Sequence, residues 1–268
     1  SQQTIAFWSR AVSRNFSPET LIDLKDATGI FDLNDRVVSA GSCFASNLIP
    51  WIEEAGLEYV RTEELPLPFQ ALEENLGYRN FSAGYGNIYT ARHLRQLYEE
   101  CIGIRKPVED RWHIDGKVID PFRPGLAYPA TTDHEFDLLR KQHLSATAEA
   151  FHSATVFVFT LGLTEAWQSS VDGSVFPACP GTITGTFEES AHEFVNFTVD
   201  DVVDDMVSFI ELVRQKNPAL KFVITVSPVP LVATATDSHV LVASTYSKAV
   251  LRVAAERICN EVSNVIYF

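Results

Sequence analysis

Two side chains with nucleophilic groups stand together in "VVSAGSCFASN", residues 37–47. Ser42 and Cys43 follow a hydrophobic run that ends in Ala-Gly, and a helical pattern begins directly after them. A serine at a turn from strand to helix exposes its hydroxyl, and the amino end of the helix helps to stabilise an oxyanion. The segment is therefore typical either of a catalytic elbow with Ser42 as nucleophile or of a tight turn that needs small residues only for packing.

Cys43 also has two interpretations. A helix amino end lowers the pKa of a thiol, which would make Cys43 the nucleophile of a thioesterase. A thiol also packs as a small hydrophobic group, and this context favours the packed position. We therefore expect Cys43 to lie in the core.

The elements that must position this turn form an alternating pattern. Helical patterns at 44–56, 198–218 and 244–264 each follow a hydrophobic segment. The hydrophobic segments lack polar alternation, as expected when helices cover both faces of a parallel sheet. The pattern predicts an open α/β sheet. Its predicted strands are "RVVSA" (36–40), "ATVFVFTLG" (154–162), "KFVITVSP" (221–228) and "NVIYF" (264–268).

Two stretches interrupt the alternation. Residues about 60–150 hold helical patterns and a hairpin, "RWHIDGKVIDPF", that turns at Asp115-Gly116. Residues 168–195 carry another Asp-Gly turn and indicate a β insertion. We expect one domain over residues 1–268, with both insertions forming walls above the carboxyl edge of the sheet, where ligands bind in such folds.

Composition limits the partners of the chain. The formal net charge is −14, and 46% of the residues are hydrophobic. Such an acidic surface repels nucleic acid and anionic lipid, so we expect a neutral small-molecule substrate, or one that binds at a local basic spot. No apolar run approaches the roughly 20 residues that span a bilayer, which predicts no membrane insertion. The pattern favours a cytoplasmic location, leaves export open and does not indicate an oligomeric state.

The cysteine, histidine and methionine positions carry three further expectations. The four cysteines are scattered, and no cysteine or histidine spacing indicates a disulfide framework or a metal site. We expect neither a metal nor an organic cofactor. Met206 is the only methionine, so the chain is expected to be a processed or trimmed product.

Loops after parallel strands face one crevice, which brings distant residues together. Glu165 there either contacts substrate or accepts a bond from a nearby backbone amide, and Trp167 is expected mainly to pack the crevice wall. Arg123 is either a carboxylate or sugar clamp or a hairpin salt bridge, and the salt bridge is favoured. The strand-end residues are Gly162, Thr164, Glu165 and Trp167 after the second strand, and Ser227, Asp237 and His239 after the third.

The turn at 41–45 and six further segments resemble the bacterial GSCFA family, which is similar to the SGNH (GDSL-like) hydrolases. The resemblance covers nearly the whole chain. It implies a three-layer α/β/α flavodoxin-like fold and a serine-dependent acyl-ester hydrolase or O-acyltransferase, acting by analogy on acylated carbohydrate. The segments are "GSCFA" (41–45), "YGNIYTARHLRQL" (85–97), "DPFRP" (120–124), "FTLGLTEAW" (159–167), "PACPG" (177–181), "TVSPVPL" (225–231) and "YSKAVLR" (246–252).

The resemblance assigns roles residue by residue. Ser42 takes the nucleophile position. Gly86 takes the position of a glycine whose amide helps to form the oxyanion hole, with Asn87 beside it. Gly162 and Thr164 fall in "GLTE", where the related enzymes have Gly-x-Asn-Asp, so that Thr164 replaces the asparagine donor.

The resemblance also implies an Asp-x-x-His pair after the last strand. That pair would lie beyond Phe268, so the internal alternative is His239 with Asp237 as the catalytic base and its partner. The absent pair and Thr164 favour a second class of function, a glycan- or acyl-binding module without turnover.

Overall fold

A computed structural model of the chain describes residues 7–8, 13, 31–64, 80–126 and 129–268. Parts of the predicted insertion, at 65–79 and 127–128, lie outside the described residues, as does most of the predicted domain before residue 31.

The described residues alternate between strands and helices, as the sequence predicts. The strands are β1 (Arg36–Gly41), β2 (Glu58–Tyr59), β3 (Trp112–Ile114), β4 (Lys117–Ile119), β5 (Val156–Leu161), β6 (Glu165–Ser169), β7 (Val175–Phe176), β8 (His192–Asn196), β9 (Lys221–Val226) and β10 (Val265–Tyr267). The helices are α1 (Cys43–Ser46), α2 (Ile49–Glu54), α3 (Ala91–Cys101), α4 (Asp133–Ser153), α5 (Val199–Arg214) and α6 (Val240–Glu261).

The central sheet has five strands in the order β10-β9-β5-β1-β2, and all its pairings are parallel. Counted along the chain and read from the β2 edge, the order is 2-1-3-4-5, which is the flavodoxin-like order. The predicted three-layer α/β/α fold is confirmed. The edge strand β2 was absent from the prediction because two residues are too few to show a pattern.

The faces of this sheet are covered by different helices. Side chains alternate between the faces of a strand. Phe157 and Phe159 of β5 therefore share the large core with residues of α3, α4, α5 and α6, such as Phe209. Val156 points to the opposite face, where Ile52 of α2 packs against it. The central strand β5 is buried on both sides.

The segment after β1 differs from its prediction. One helix was predicted over 44–56, with Pro50 bending it or limiting its start. Two short helices form there, and Pro50 lies in the first turn of α2. Proline lacks an amide hydrogen, so it is tolerated in a first turn and not in a helix interior. The chain therefore breaks at Asn47 and Leu48 instead of continuing α1.

The insertions form the two predicted β structures. Strands β3 and β4 pair as a hairpin, with φ of 48° at Asp115 and 73° at Gly116, as a tight two-residue turn requires. Strands β7, β6 and β8 form an antiparallel sheet. Glu165 and Trp167 were expected in a loop after β5. They lie instead in β6, which begins at Glu165.

Candidate functional site

The direction in which the chain adds strands to the central sheet reverses between β1 and β5. From β1 the chain continues towards β2 at one edge, and from β5 it continues towards β9 and β10 at the other. Ligands bind at such a switch point, beyond the carboxyl ends of the strands. Gly41 pairs with Thr160 across the two strands. Ser42 and Leu161 therefore end β1 and β5 side by side at this point.

Gly41 fixes the geometry of the turn before Ser42. Its φ is +148°, and a Cβ at this position would lie 2.8 Å from the Thr160 carbonyl oxygen and 3.1 Å from Cβ of Ala45. Any side chain there would be strained by both the backbone and its neighbours. The close packing of β1, β5 and α1 therefore requires glycine at position 41.

Ser42 is the N-cap of α1 and is buried, with 4% of its surface exposed. Its Oγ accepts a hydrogen bond from the Phe44 amide at 3.3 Å and donates to Oγ of Ser227 at 3.5 Å. Helix α1 spans only four residues, so its dipole is small. An oxyanion here would depend on individual backbone amides and not on the helix dipole that the sequence suggested.

The position of Cys43 contradicts its predicted place in the core. The Cys43 side chain is exposed and lines a cavity of about 300 Å³, which we call the Cys43 cavity. Ser42, the N-cap of α1, is buried, whereas Cys43, the first residue of α1, is exposed. The sequence pattern did not distinguish these two positions. Burial raises the pKa of the Tyr89 phenol in the same cavity, and the nearby Cys43 adds to that rise.

The loop that carries Gly86 and Asn87 is fastened to the elbow. The amide of Ile88 donates to the Gly41 carbonyl at 2.7 Å, and the Tyr85 hydroxyl donates to the Ser39 carbonyl. Gly86 has a φ of +65°, and both Gly86 and Asn87 line the Cys43 cavity. The structure thus brings these two predicted residues to the turn that holds Ser42.

Gly162 joins the same loop from the other side. The amides of Gly162 and Leu163 donate to the Tyr89 carbonyl at 3.0 and 3.1 Å. A Cβ at Gly162 would lie 2.8 Å from that carbonyl oxygen, so a larger residue would force the loop away. The Gly162 carbonyl accepts a hydrogen bond from Nζ of Lys248 on α6 at 2.5 Å.

Thr164 has contacts of a structural kind. Its side chain is fully buried, and its hydroxyl donates to Oδ1 of Asn196 at 2.6 Å. Its amide donates to Oγ of Ser247 at 3.1 Å. These bonds fasten the start of β6 to α6, and none of the hydrogen bonds described for Thr164 reaches Ser42. Its role in an oxyanion hole stays a prediction.

Glu165 and Trp167 support the crevice walls. The Glu165 carboxylate accepts hydrogen bonds from the Thr234 hydroxyl at 2.7 Å and the Ala235 amide at 3.1 Å. It thereby anchors the long loop after β9, which corresponds to the backbone-amide alternative for this residue. The ring of Trp167 packs edge-on against Phe187, with their centroids 5.1 Å apart.

His239 is the exposed N-cap of α6. Its Nδ1 accepts a hydrogen bond from the Leu241 amide at 3.2 Å. Asp237 is exposed in the loop before it. Within the described part of the chain, no hydrogen bond joins His239 to Asp237 or either of them to Ser42. Their catalytic roles therefore remain predictions.

A buried group of ionisable residues, which includes Arg123, supports the wall of the Cys43 cavity at Gly84. Arg123 pairs with Asp120 at 2.9 Å and with Glu63 at 3.3 Å, which are the contacts of the salt-bridge alternative. Burial opposes ionisation of Glu63, but His143 and Arg123 outweigh it and lower its pKa to about 2. We call this group the Glu63 cluster; its members are Glu63, Glu100, Asp120, Arg123, Arg140 and His143.

Two further searches cover only the described residues. Among them, no group of three or more histidine, cysteine or acidic side chains is arranged to hold a metal ion. No helix in the same ranges is both long and apolar enough to cross a membrane.

Comparison with known families gives one match. The model of the GSCFA family matches residues 36–268, from the first residue of β1 to the last residue of the chain. This chain belongs to the GSCFA family. The matched span contains the central sheet, the Ser42 elbow and the Cys43 cavity. No curated protein and no solved structure matches the chain significantly.

Sequence reasoning did not assign a role to two residues at this site. Ser227 was placed at a strand end, but its contact with Ser42 spans 185 positions and leaves no local pattern. Lys248 lies within "YSKAVLR", yet a lysine in an amphipathic helix resembles any solvated side chain. Only the helix-to-strand contact at Gly162 distinguishes it.

Proposed function

We propose that this member of the GSCFA family is a serine-dependent acyl-ester hydrolase or O-acyltransferase of the SGNH type. The position of Ser42 carries the proposal. It follows a glycine that no other residue can replace without strain, at the switch point of a flavodoxin-like sheet. Its neighbour Cys43 opens onto a cavity large enough for a small organic ligand.

The proposed reaction proceeds through an acyl-enzyme. Oγ of Ser42 attacks the ester carbonyl, a base takes the serine proton, and the carbonyl oxygen becomes an oxyanion. Backbone amides of Ser42 and Gly86 stabilise that oxyanion. The intermediate then releases the alcohol, and water or an acceptor hydroxyl resolves the acyl-enzyme.

The lining of the Cys43 cavity supports an acylated carbohydrate as substrate. Asn80 and Asn87 offer amide groups for hydroxyls, while Phe122 and Tyr89 offer aromatic surface. The only charged side chain among the described lining residues is Arg123, which is already paired with two carboxylates. This lining suits a neutral ligand with polar edges and apolar faces.

The exposure of Cys43 favours a second candidate. A thioesterase with Cys43 as nucleophile would use the residue that faces the cavity, whereas Ser42 lies beneath the surface. A binding module is the third alternative, and the absence of a described histidine contact to Ser42 favours it.

Hydrolysis of p-nitrophenyl acetate separates these functions. We expect Ser42→Ala to lower kcat/KM by about a thousandfold or more, because the nucleophile itself is lost. Cys43→Ala only reshapes the cavity and should lower kcat/KM by less than about tenfold. Unfolding midpoints of both variants would show whether each remains folded.

The opposite pattern supports the second candidate. Loss of activity in Cys43→Ala, together with inactivation of the parent chain by iodoacetamide, would assign the reaction to the thiol. Equal background rates in the parent chain and both variants would contradict both enzymes and favour the binding module.

A further inference from the structure

The hydrogen bonds around Ser42 define the direction of its proton. Oγ of Ser42 accepts from the Phe44 amide and donates to Oγ of Ser227. Oγ of Ser227 also accepts from the Val229 amide at 3.3 Å. Oγ of Ser227 thus accepts two hydrogen bonds, which leaves its own hydroxyl proton available for a further acceptor. Ser227 is buried, and none of the described hydrogen bonds uses that proton.

Lys248 stands at the same strand end. The Ser227 amide donates to the Leu161 carbonyl at 2.9 Å, which fixes Ser227 to the last residue of β5. The next residue is Gly162, whose carbonyl holds Nζ of Lys248. The carbonyls that hold Ser227 and Lys248 therefore belong to consecutive residues at the end of β5.

The charged groups on the elements around Lys248 are engaged with other partners. On β6, Glu165 binds the loop after β9. On α6, Arg252 pairs with Glu256, and Asp200 at the start of α5 pairs with Arg257. Within the described ranges Lys248 has no ion pair.

Burial therefore acts on Lys248 without an opposing carboxylate. It lowers the pKa of Lys248 to about 8, and no neighbouring charge contributes to that shift. A lysine with such a pKa is partly uncharged near neutral pH and can act as a base.

We propose that Lys248, acting through Ser227, takes the proton of Ser42 when the serine attacks its substrate. This inference rests on the proposed function of Ser42 as nucleophile. It supplies a base from within the described residues, independently of His239 and of any pair beyond Phe268.

The proton balance of the relay is complete. As Oγ of Ser42 bonds to the carbonyl carbon, its proton passes to Ser227. The uncharged amine of Lys248, which is hydrogen-bonded to the Gly162 carbonyl in the structure, turns towards Oγ of Ser227 and takes the proton of that hydroxyl. The resulting ammonium returns a proton by the same route to the departing alkoxide when the carbon–oxygen bond breaks. Lys248 is then uncharged again, and no oxidant or reductant is required.

Lys248 could instead serve only as a tether that holds the Gly162 carbonyl. Lys248→Arg separates the two roles. Arginine keeps the positive charge, the long stem and a donor for Gly162, but its pKa is too high to accept a proton. A tether would survive this substitution, whereas a proton acceptor would not.

The test uses an alkyl fluorophosphonate, which labels an activated serine without requiring the natural substrate. The labelling rate of Ser42, followed by mass spectrometry from about pH 6 to about pH 10, should rise through about pH 8 in the parent chain. Lys248→Arg should label at least about a hundredfold more slowly and lose that inflection. Ser227→Ala should also slow labelling.

Lys221→Arg is the matched control. Lys221 pairs with Asp35 near the start of β9, at the opposite end of the strand from Ser227. Its substitution should change neither the rate nor the pH profile. The unfolding midpoint of every variant is measured as well, to establish that each variant is folded when its labelling rate is compared with that of the parent chain.

The outcomes separate this inference from the proposed function. A Lys248→Arg chain that labels Ser42 at the parent rate, with the parent pH profile, would overturn the relay and leave the nucleophile intact. Loss of labelling in His239→Ala, with Lys248→Arg unaffected, would overturn it in favour of the histidine. A parent chain that is not labelled at Ser42 would contradict the proposed function as well.

Discussion

The Ser42 elbow and the Glu63 cluster are both hydrogen-bonded to the loop that carries Gly86, yet they are built in opposite ways. The elbow consists of small uncharged residues whose positions follow from close backbone approach, and its serine has one long hydrogen bond of 3.5 Å to another side chain. The Glu63 cluster consists of charged side chains, buried and mutually paired through short contacts such as Arg140 to Asp120 at 2.8 Å.

This difference teaches where reactivity lies in the fold. Strongly shifted pKa values often mark functional sites, but paired structural networks shift them as well. In the Glu63 cluster every described carboxylate has a cationic partner, so the shifts reflect structure. At the elbow the described hydrogen bonds give Ser42 no charged partner. The pKa shifts described nearby, at Tyr89 and Lys248, have burial as their largest cause. The Glu63 cluster therefore stabilises the wall, whereas the elbow has no such network of ion pairs.

The largest expected effect on stability comes from breaking the Glu63 cluster. Arg123→Met leaves Asp120 and Glu63 without their shared buried partner, and we expect a loss of about 3–5 kcal/mol in the free energy of unfolding. Arg257→Met is the control, because Arg257 also joins two carboxylates but is exposed. That control should lose less than about 1 kcal/mol. If urea denaturation showed equal losses of unfolding free energy in the two variants, the Glu63 cluster would contribute no more to stability than an exposed ion pair.

The elbow should respond to a change of backbone and not of charge. Gly41→Ala places a methyl group against the Thr160 carbonyl, and we expect a loss of about 3 kcal/mol together with loss of any activity that depends on Ser42. Gly56 also has a positive φ, but a Cβ there meets nothing within 4 Å. Gly56→Ala should therefore cost only about 1 kcal/mol and retain activity. Calorimetric or urea unfolding of both variants measures the difference.

The smallest expected effect is a pH dependence within the Glu63 cluster. Burial raises the pKa of Glu100 from its usual 4.5 to about 7, although Arg140 opposes that rise. Between these two pH values the folded chain holds a proton that the unfolded chain has lost, so Glu100 lowers stability as the pH rises through this window. Glu100→Gln should remove that part of the decline.

The control for this measurement is Glu99→Gln, one position earlier on α3 and partly exposed. The difference in unfolding free energy between Glu100→Gln and the parent chain should grow from about pH 4.5 to about pH 7 and then remain constant. A difference that does not vary between about pH 4.5 and about pH 7 would show that Glu100 of the folded chain is ionised over this whole range.

The sequence predicted the frame of the site and less of its chemistry. Strands β5, β9 and β10 lie within their predicted segments, and β1 extends one residue beyond its own, because buried parallel strands have continuous hydrophobic runs. The hairpin turn at Asp115-Gly116 was predictable because few residue pairs adopt its backbone angles. These features depend on local sequence.

The relations among the site residues depend on contacts between distant segments. No local pattern shows that Ser42 faces inwards while Cys43 faces the cavity, because the helix that Ser42 caps and Cys43 begins has only four residues, too few for a periodicity. Thr164 was expected to face the crevice, but its hydroxyl meets Asn196 of β8, which the sequence could not place. The Glu63 cluster joins residues up to 80 positions apart.

The most direct test of the central claim is to map the acyl-enzyme. The chain is mixed with p-nitrophenyl acetate, quenched in acid and digested, and the peptide that contains residues 42 and 43 is fragmented in a mass spectrometer. Our account predicts an acetyl group on Ser42 that is absent from Ser42→Ala. An acetyl group on Cys43, or hydrolysis without any acetylated Ser42, would contradict it.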